Sequence, residues 1–439
     1  MMRKYLYAVL FLQLAISFST KAQFTIDGQF RTRAEIRDGY RALASEATHP
    51  TALVSQRSRL IFSYSDSSFL FKFSGQDARV WGQNWNAMAS NTLHLYEAWA
   101  GYKVNPNLLL KLGRQELLYD DQRLMATRNF SITGVTYDAA LLIYSNKDKG
   151  LNLHFGTMVN NVGEVNFLDG YNFPLSFKYM SFLWMDKKLN DLVSVNAINF
   201  FDLSQNPADN HIMYGRNTLG SNVILKLSDT FGGRVGGYYQ FGNHWLDLGA
   251  YGASHKKISA YSYNLSMWVK PADKLKISAH VDTHSGHDWS GDFDTFTAFN
   301  RLLAAGHAHL GFIDYFTSAD LREVRWAGIH DLFLQGEYVF STKLNLQATL
   351  HYFMLNKPHL RIPGPDTYTT VSKGLGTEVD FVLNYRVNQT LGLQASICTI
   401  FPTESLETLK LTGAPDSEFS YYAYLSLLFT PKFLKWENK

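Results

Sequence analysis

The chain has 439 residues, 46% hydrophobic and 15% aromatic, with 41 basic and 38 acidic side chains and a formal net charge of +3. Arg3, Lys4 and Lys21 carry that excess and lie within the first 22 residues, so the remainder is formally neutral, net charge says nothing about partners, and no nucleic-acid partner is expected. A single cysteine, Cys398, excludes an internal disulfide framework, and no later stretch is a continuous apolar span of helical length, which excludes a helical membrane protein.

Residues 1–22 read as a signal peptide: Arg3 and Lys4 form a basic start, Leu6 to Phe18 an apolar run, and Thr20-Lys21-Ala22 a small-residue cleavage site. Residues 23–439 then read as one domain that begins directly with a strand. Phe24, Ile26, Gly28, Phe30, Thr32, Ala34 and Ile36 share one face; Asp27, Gln29, Arg31, Arg33, Glu35 and Arg37 share the other. Those charged groups could not face a dry core, whereas a water-filled lumen accepts them. The same period puts Arg57 and Arg59 opposite Leu60, Phe62 and Tyr64. It recurs with Arg234 at 231–241, with Asp282 at 275–282, and with Glu378, Asp380, Asn384 and Arg386 opposite Leu375, Val379, Phe381 and Tyr385. Segments 175–187 and 192–201 carry apolar residues on both faces and leave their register open. The last strand runs from Phe419 to Phe429, with Thr430 to Lys439 as a tail whose boundary is soft.

Short polar joints alternate with longer connections along the whole chain. Tight joints fall at Asp66-Ser67-Ser68, Asn105-Pro106-Asn107, Ser228-Asp229-Thr230, Ser341-Thr342-Lys343 and Val387-Asn388-Gln389. Long connections fall at 38–56, 80–92, 118–134, 160–174, 202–212, 242–256, 285–328, 356–373 and 402–418. This asymmetry predicts an all-β fold: an up-and-down antiparallel transmembrane β-barrel of about 18 strands, with short periplasmic turns and long extracellular loops, in the bacterial outer membrane. The aromatic excess fits girdles at the two membrane interfaces.

The segment Leu110-Lys111-Leu112-Gly113-Arg114-Gln115-Glu116-Leu117-Leu118-Tyr119-Asp120-Asp121-Gln122-Arg123-Leu124 resembles the hallmark of the alginate export family. Leu95-Tyr96-Glu97-Ala98-Trp99 is similar to the same family, as are Phe299-Asn300-Arg301-Leu302-Leu303, Gly306-His307, Gly311-Phe312-Ile313-Asp314 and Leu375-Gly376-Thr377-Glu378-Val379-Asp380. The resemblance implies an eighteen-stranded outer-membrane barrel that conducts an anionic polysaccharide or oligosaccharide through an Arg-rich lumen. The chain departs from the family pattern at Met125 to Phe130, where a Gly and a Trp are usual. It departs again at Val387-Asn388-Gln389, where a known exporter has a long periplasmic loop, so periplasmic gating would fall to separate export partners.

Guanidinium groups stay charged and bind carboxylates in a two-pronged fashion, and a ring of them in a narrow pore favours anions. Arg31, Arg33, Arg57, Arg59, Arg114, Arg123, Arg234, Arg386 and Lys111 are the expected anion contacts, and Glu97, Glu378 and Asp380 the counter-charges that orient them. Arg114 has the wrong parity for the lumen and needs a bulge near Gly113 to enter it. A balanced lumen, with Glu35, Asp282 and Glu337 also inward, is the alternative, and a general porin for small solutes the corresponding function. Within 285–328, Phe293 to Leu303 has the spacing of a short helix. His284, His287, Asp288, His307 and His309 are expected to be solvated rather than metal-bound, and Asp120-Asp121 to be solvated or Arg-paired rather than calcium-bound. Ser285 beside His284 points away from it, which disfavours a membrane-embedded hydrolase. No catalytic residue, metal or cofactor is expected.

Overall fold

Alternate-facing strands with one polar side can satisfy their backbone in a bilayer only by closing on themselves, and the chain does so. The computed structural model describes residues 22–438 apart from 84–91, 165, 167–176, 250–251, 292, 362–367 and 412–416. Residues 1–21 of the expected signal peptide and the tips of several expected long connections lie outside the described residues. The barrel has eighteen strands. They are β1 (Gln23–Asp38), β2 (Thr51–Ser65), β3 (Phe69–Val80), β4 (Leu93–Asn105), β5 (Leu108–Gln115), β6 (Tyr137–Asn146), β7 (Leu151–Val159), β8 (Tyr179–Lys188) and β9 (Val193–Asn206). There follow β10 (Asp209–Leu225), β11 (Phe231–Asp247), β12 (Ala253–Ala272), β13 (Leu275–His284), β14 (Ile329–Ser341), β15 (Leu344–Leu355), β16 (Gly374–Arg386), β17 (Leu391–Pro402) and β18, in two segments, Ser420–Phe429 and Lys432–Glu437. Helix α1 (Glu404–Lys410) precedes β18.

Each strand pairs antiparallel with the next, and β1 pairs with β2 on one side and with both segments of β18 on the other. Leu60, Phe71, Leu112, Leu183, Leu265 and Phe381 stand exposed on the outer face, the apolar band that lipid requires. Two expectations change. The tail after Phe429 is not a tail: Lys432–Glu437 pairs with Gln23–Asp27 and completes the closing strand past Pro431. The long connection at 202–212 is only Pro207-Ala208, because β9 and β10 run on past the barrel rim with an irregularity between Asp209 and Met213.

At the seam, the Gly28 N–H donates to Pro431 O at 2.8 Å, and a Cβ on Gly28 would lie 2.6 Å from the Phe433 ring. Gly28→Val is therefore expected to open the seam at a cost of roughly 1–3 kcal/mol. The heat-modified, compact band on cold SDS gels should then convert to the unfolded band at lower temperature than for the wild type.

The lumen is not an open tube. Leu117, Tyr119, Leu124 and Met125 from connection 116–136 pack with Phe296, Phe299, Leu302 and Leu303 from 285–328 against Phe182, Phe200, Tyr238 and Ile258 of the wall. A second cluster joins Leu310, Ile313, Phe316 and Leu321 to Phe353, Ile400, Tyr422 and Leu406 of α1. Burial of each large apolar side chain contributes roughly 1.5–3 kcal/mol, enough to hold both connections inside the barrel. The first cluster explains why β8 and β9 are apolar on both faces: one meets lipid and the other this dry packing. The second cluster takes up Leu375, expected outside but turned inward where Gly376 (φ +144°) interrupts the register of β15 with β16. The expected helix at Phe293 to Leu303 does not form. Thr295–Phe296 instead adds to Lys257–Ile258 as a short parallel pair, Leu302 takes a left-handed φ of 55°, and the Leu303 N–H donates to Leu124 O at 2.9 Å.

Candidate functional site

Parity turns Arg31, Arg33 and Arg37 of β1 and Arg57 and Arg59 of β2 inward, and register sets Arg31 directly opposite Arg57. Like charges facing each other across a ladder repel. Backbone carbonyls of connection 116–136, folded into the lumen, answer that repulsion. Arg31 donates from Nη1 to Asn129 O at 2.7 Å and from Nη2 to Ser131 O at 2.7 Å and Phe130 O at 3.2 Å. Arg57 donates to Gln29 Oε1 at 2.8 Å and, at 3.4 Å, to the carbonyls of Asn129 and Ser131. Arg59 reaches Thr133 O at 3.4 Å and lies 3.4 Å above the centre of the Tyr96 ring. Arg33 donates to Phe130 O at 2.9 Å, stands 4.0 Å over the Phe130 ring and pairs with Glu35 at 2.9 Å. Glu35 also takes Arg37 at 2.6 Å.

Neutral carbonyls orient a guanidinium without cancelling its charge. Among the described residues Glu35 is the carboxylate that ion-pairs with this set, leaving the patch strongly positive.

Two cavities meet at this patch. The outer, about 990 Å³, is lined by Arg37, Tyr40, Gln335, Gln347 and His307 among others. The inner, about 620 Å³, reaches the tight turns at Thr342 and Asn388 and includes Arg31, Asn345, Asn384 and Arg386. Both are lined by Arg33, Asn129, Phe130 and Gln394, which form the neck between them.

The expected residues divide accordingly. Arg31, Arg33 and Arg386 line the cavities. Arg57, at 1% exposure, and Arg59 are buried and hold carbonyls of the loop. Arg114 stays outside: no bulge redirects it, and it forms an exposed pair with Asp138 at 2.6 Å. Arg123 bridges Asp121 and Asp282, at 2.7 and 2.6 Å, and Arg234 takes the same Asp121 at 2.7 Å, so both serve a buried network. Lys111 lies 4.0 Å over the Trp99 ring. Among the ion pairs of the described residues, none joins the three expected counter-charges to an arginine. Glu97 pairs with Lys72 at 2.5 Å, Glu378 accepts the N–H groups of Phe312 and Ile313 at 2.5 and 2.9 Å, and Asp380 faces His351 at 3.5 Å. The carboxylate that orients Arg33 and Arg37 is Glu35, which the Arg-x-Glu-x-Arg spacing on one strand face already signalled.

The loop histidines, expected in solvent, are packed instead. His284 stacks near Phe299, His309 bonds the Asp121 carbonyl at 2.8 Å, and His307 pairs with Asp314 at 2.8 Å while stacking 3.3 Å from Phe130. The Ser285 hydroxyl donates to Thr297 O at 2.7 Å and accepts the Tyr261 N–H at 2.9 Å, and among the described residues it makes no bond to His284. No group of three His, Cys, Asp or Glu side chains among the described residues is arranged to hold a metal ion.

Burial would raise Asp121, but Arg123, His309 and Arg234 outweigh it and hold its carboxyl at about 2. Its neighbour Asp120 is pushed up to about 6 by burial, against the Trp184 indole N–H at 2.9 Å. An acid raised on docking contributes stability that is complete below its unfolded value and lost as pH rises through its folded value. Loop docking should thus weaken from about pH 4 to about pH 6, by about 1–2 kcal/mol after allowance for screening. Asp120→Asn is expected to raise the thermal midpoint at pH 7.5 and leave it unchanged at pH 4, as read by circular dichroism in detergent.

The model of the alginate export family matches residues 13–154. The chain is similar to that family. Of the alginate-export-like segments, those at 95–99 and 110–124 lie inside the match. The segments at 110–124 and 299–303 dock on one another within the lumen: the Leu124 carbonyl accepts the Leu303 N–H, and the Gln122 carbonyl accepts that of Ala305 just beyond. No curated protein matches the chain. Among solved structures, the outer membrane protein opdK of Pseudomonas aeruginosa is similar with a TM-score of 0.60 at 13% identity, over 94% of this chain and 99% of that one. OccAB1 of Acinetobacter baumannii gives 0.62 at 12%, over 94% and 97%, and OccAB4 of the same organism 0.61 at 13%, over 94% and 99%. These likenesses concern the fold, that of an outer-membrane barrel.

Proposed function

We propose that this chain is a passive outer-membrane channel that conducts an anionic polysaccharide or oligosaccharide. The observation that carries the reading is the neck. Arg33, which also pairs with Glu35, stands where the two cavities join, and Arg31 stands beside it in the inner cavity, held by neutral carbonyls that leave its charge available to a passing carboxylate. Arg386 extends the positive lining to the periplasmic end. The outer-membrane bilayer is its surroundings, and periplasmic export proteins would supply any gate or drive.

The wall of β13 to β16, with Asp282, Asp331, Glu378 and Asp380 facing inward, favours the second reading, a general porin. Single-channel current across a salt gradient, with and without oligo-uronate, separates them. An anion-selective reversal potential with block by the oligomer is the expected result. An unselective, unblocked current would replace this reading with the porin, and no current at all would reopen a membrane-embedded hydrolase.

A further inference from the structure

One side of the path is rich in side-chain amides. On β14 to β17 the positions that line the cavities include Gln335, Gln347, Asn345, Asn384 and Gln394, with Glu337 in register opposite Gln347 and Arg386 at the periplasmic end. Gln335 and Gln347 line the outer cavity, Gln394 the neck, and Asn384 and Asn345 the inner cavity, so amides run the length of the path. At the neck they are chained: Tyr424 donates to Gln394 Oε1 at 2.8 Å, Gln394 to Asn384 Oδ1 at 2.8 Å, and Asn384 to Asn345 Oδ1 at 2.9 Å. At the outer level they are nearly free. Gln335 and Gln347 each reach only Thr349, at 3.4 and 3.5 Å, and among the described residues their carbonyl oxygens accept no hydrogen bond.

A side-chain amide offers two donors and an acceptor, so it complements a hydroxyl group in either sense. A bare apolar anion gains nothing from such a wall, and it must strip water from amides that it cannot satisfy. The arginines of β1 lie two strands from β17, roughly 10 Å across the ladder, so one solute can meet both sets at once. Arginine takes the carboxylate and the amides take ring hydroxyls.

We infer that Gln335, Gln347 and Gln394 make this path selective for polyhydroxylated anions over unhydroxylated anions of the same size and charge. The inference rests on the anion-path reading above and adds the chemistry that chooses among anions. The test compares glucuronate with cyclohexanecarboxylate, which share a six-membered ring and one carboxylate, as the permeant anion in bilayer reversal-potential measurements on the mature chain. Glucuronate should permeate better by roughly threefold to tenfold, the worth of one or two amide hydrogen bonds. In Gln335→Leu/Gln347→Leu that ratio should fall toward one. Gln347→Leu alone, which removes a single 3.5 Å contact, guards against a double variant that does not fold. A clear chloride-over-potassium preference with equal permeation of the two carboxylates would overturn this inference and leave the anion path standing. A discrimination that survives in Gln347→Leu and in the double variant would also overturn it. Absence of chloride preference in the wild type would remove both.

Discussion

Arg31→Gln/Arg33→Gln should cut the chloride-to-potassium permeability ratio by about tenfold and leave conductance of the same order. Two fixed charges at and beside the neck, acting at an effective dielectric between protein and water, are together worth about 1.4 kcal/mol to a permeating ion, a factor of ten. Glutamine keeps N–H donors for the carbonyls of Asn129 and Phe130, so the loop stays in place and only the charge is lost. Arg386→Gln provides the contrast. That side chain is exposed in the inner cavity, where salt screens a charge within about 8 Å at physiological ionic strength, so its effect should be a small fraction of the neck's. Reversal potentials measured in 0.1 M and 1 M salt would separate the two positions. An unchanged ratio in the double variant would mean that the filter lies elsewhere.

Most of the barrel was legible because side-chain parity in a strand is a local rule. It turned Arg31, Arg33, Arg57, Arg59, Arg234 and Arg386 inward from their neighbours alone. Parity also placed Arg114 outside, and the wish to bring a motif residue into the lumen was the weaker argument: no bulge appears, and Arg114 pairs with Asp138 on the outer face. Parity was silent where the inner face meets apolar packing, as in β8 and β9. The partner of an inward guanidinium was not legible either. Arg31 and Arg33 are held by carbonyls about a hundred positions along the chain, and every residue has a carbonyl, so no residue type marks the contact. The same reason hid Phe130 and the His307–Asp314 pair beneath it. They matter through the fold of two long connections, which is set by apolar packing that strand periodicity does not describe.

That packing does not hold connection 116–136 alone, and Arg123→Ala tests its electrostatic share. Arg123 is the partner of two carboxylates, Asp121 in the connection and Asp282 on β13, and Arg234 reaches only the first. Breaking a buried pair on one side costs about 3–5 kcal/mol, because a charge remains without its counter-ion. This approaches what one or two buried aromatic or leucine side chains contribute. The connection should leave the lumen for part of the time, with single-channel conductance rising severalfold and becoming noisy. Trypsin added from the outer face should cut at Arg128, whose side chain otherwise donates to Ala304 O at 2.9 Å. Two responses mark the cause as charge rather than lost packing. Arg123→Ala/Asp282→Asn should restore much of the wild-type current. Acidification should restore it too, since Asp121, no longer held at about 2, moves toward the ordinary carboxylate range near 4 and becomes neutral there. A variant with wild-type conductance at every pH would show that Leu117, Tyr119 and Leu124 suffice to keep the connection docked.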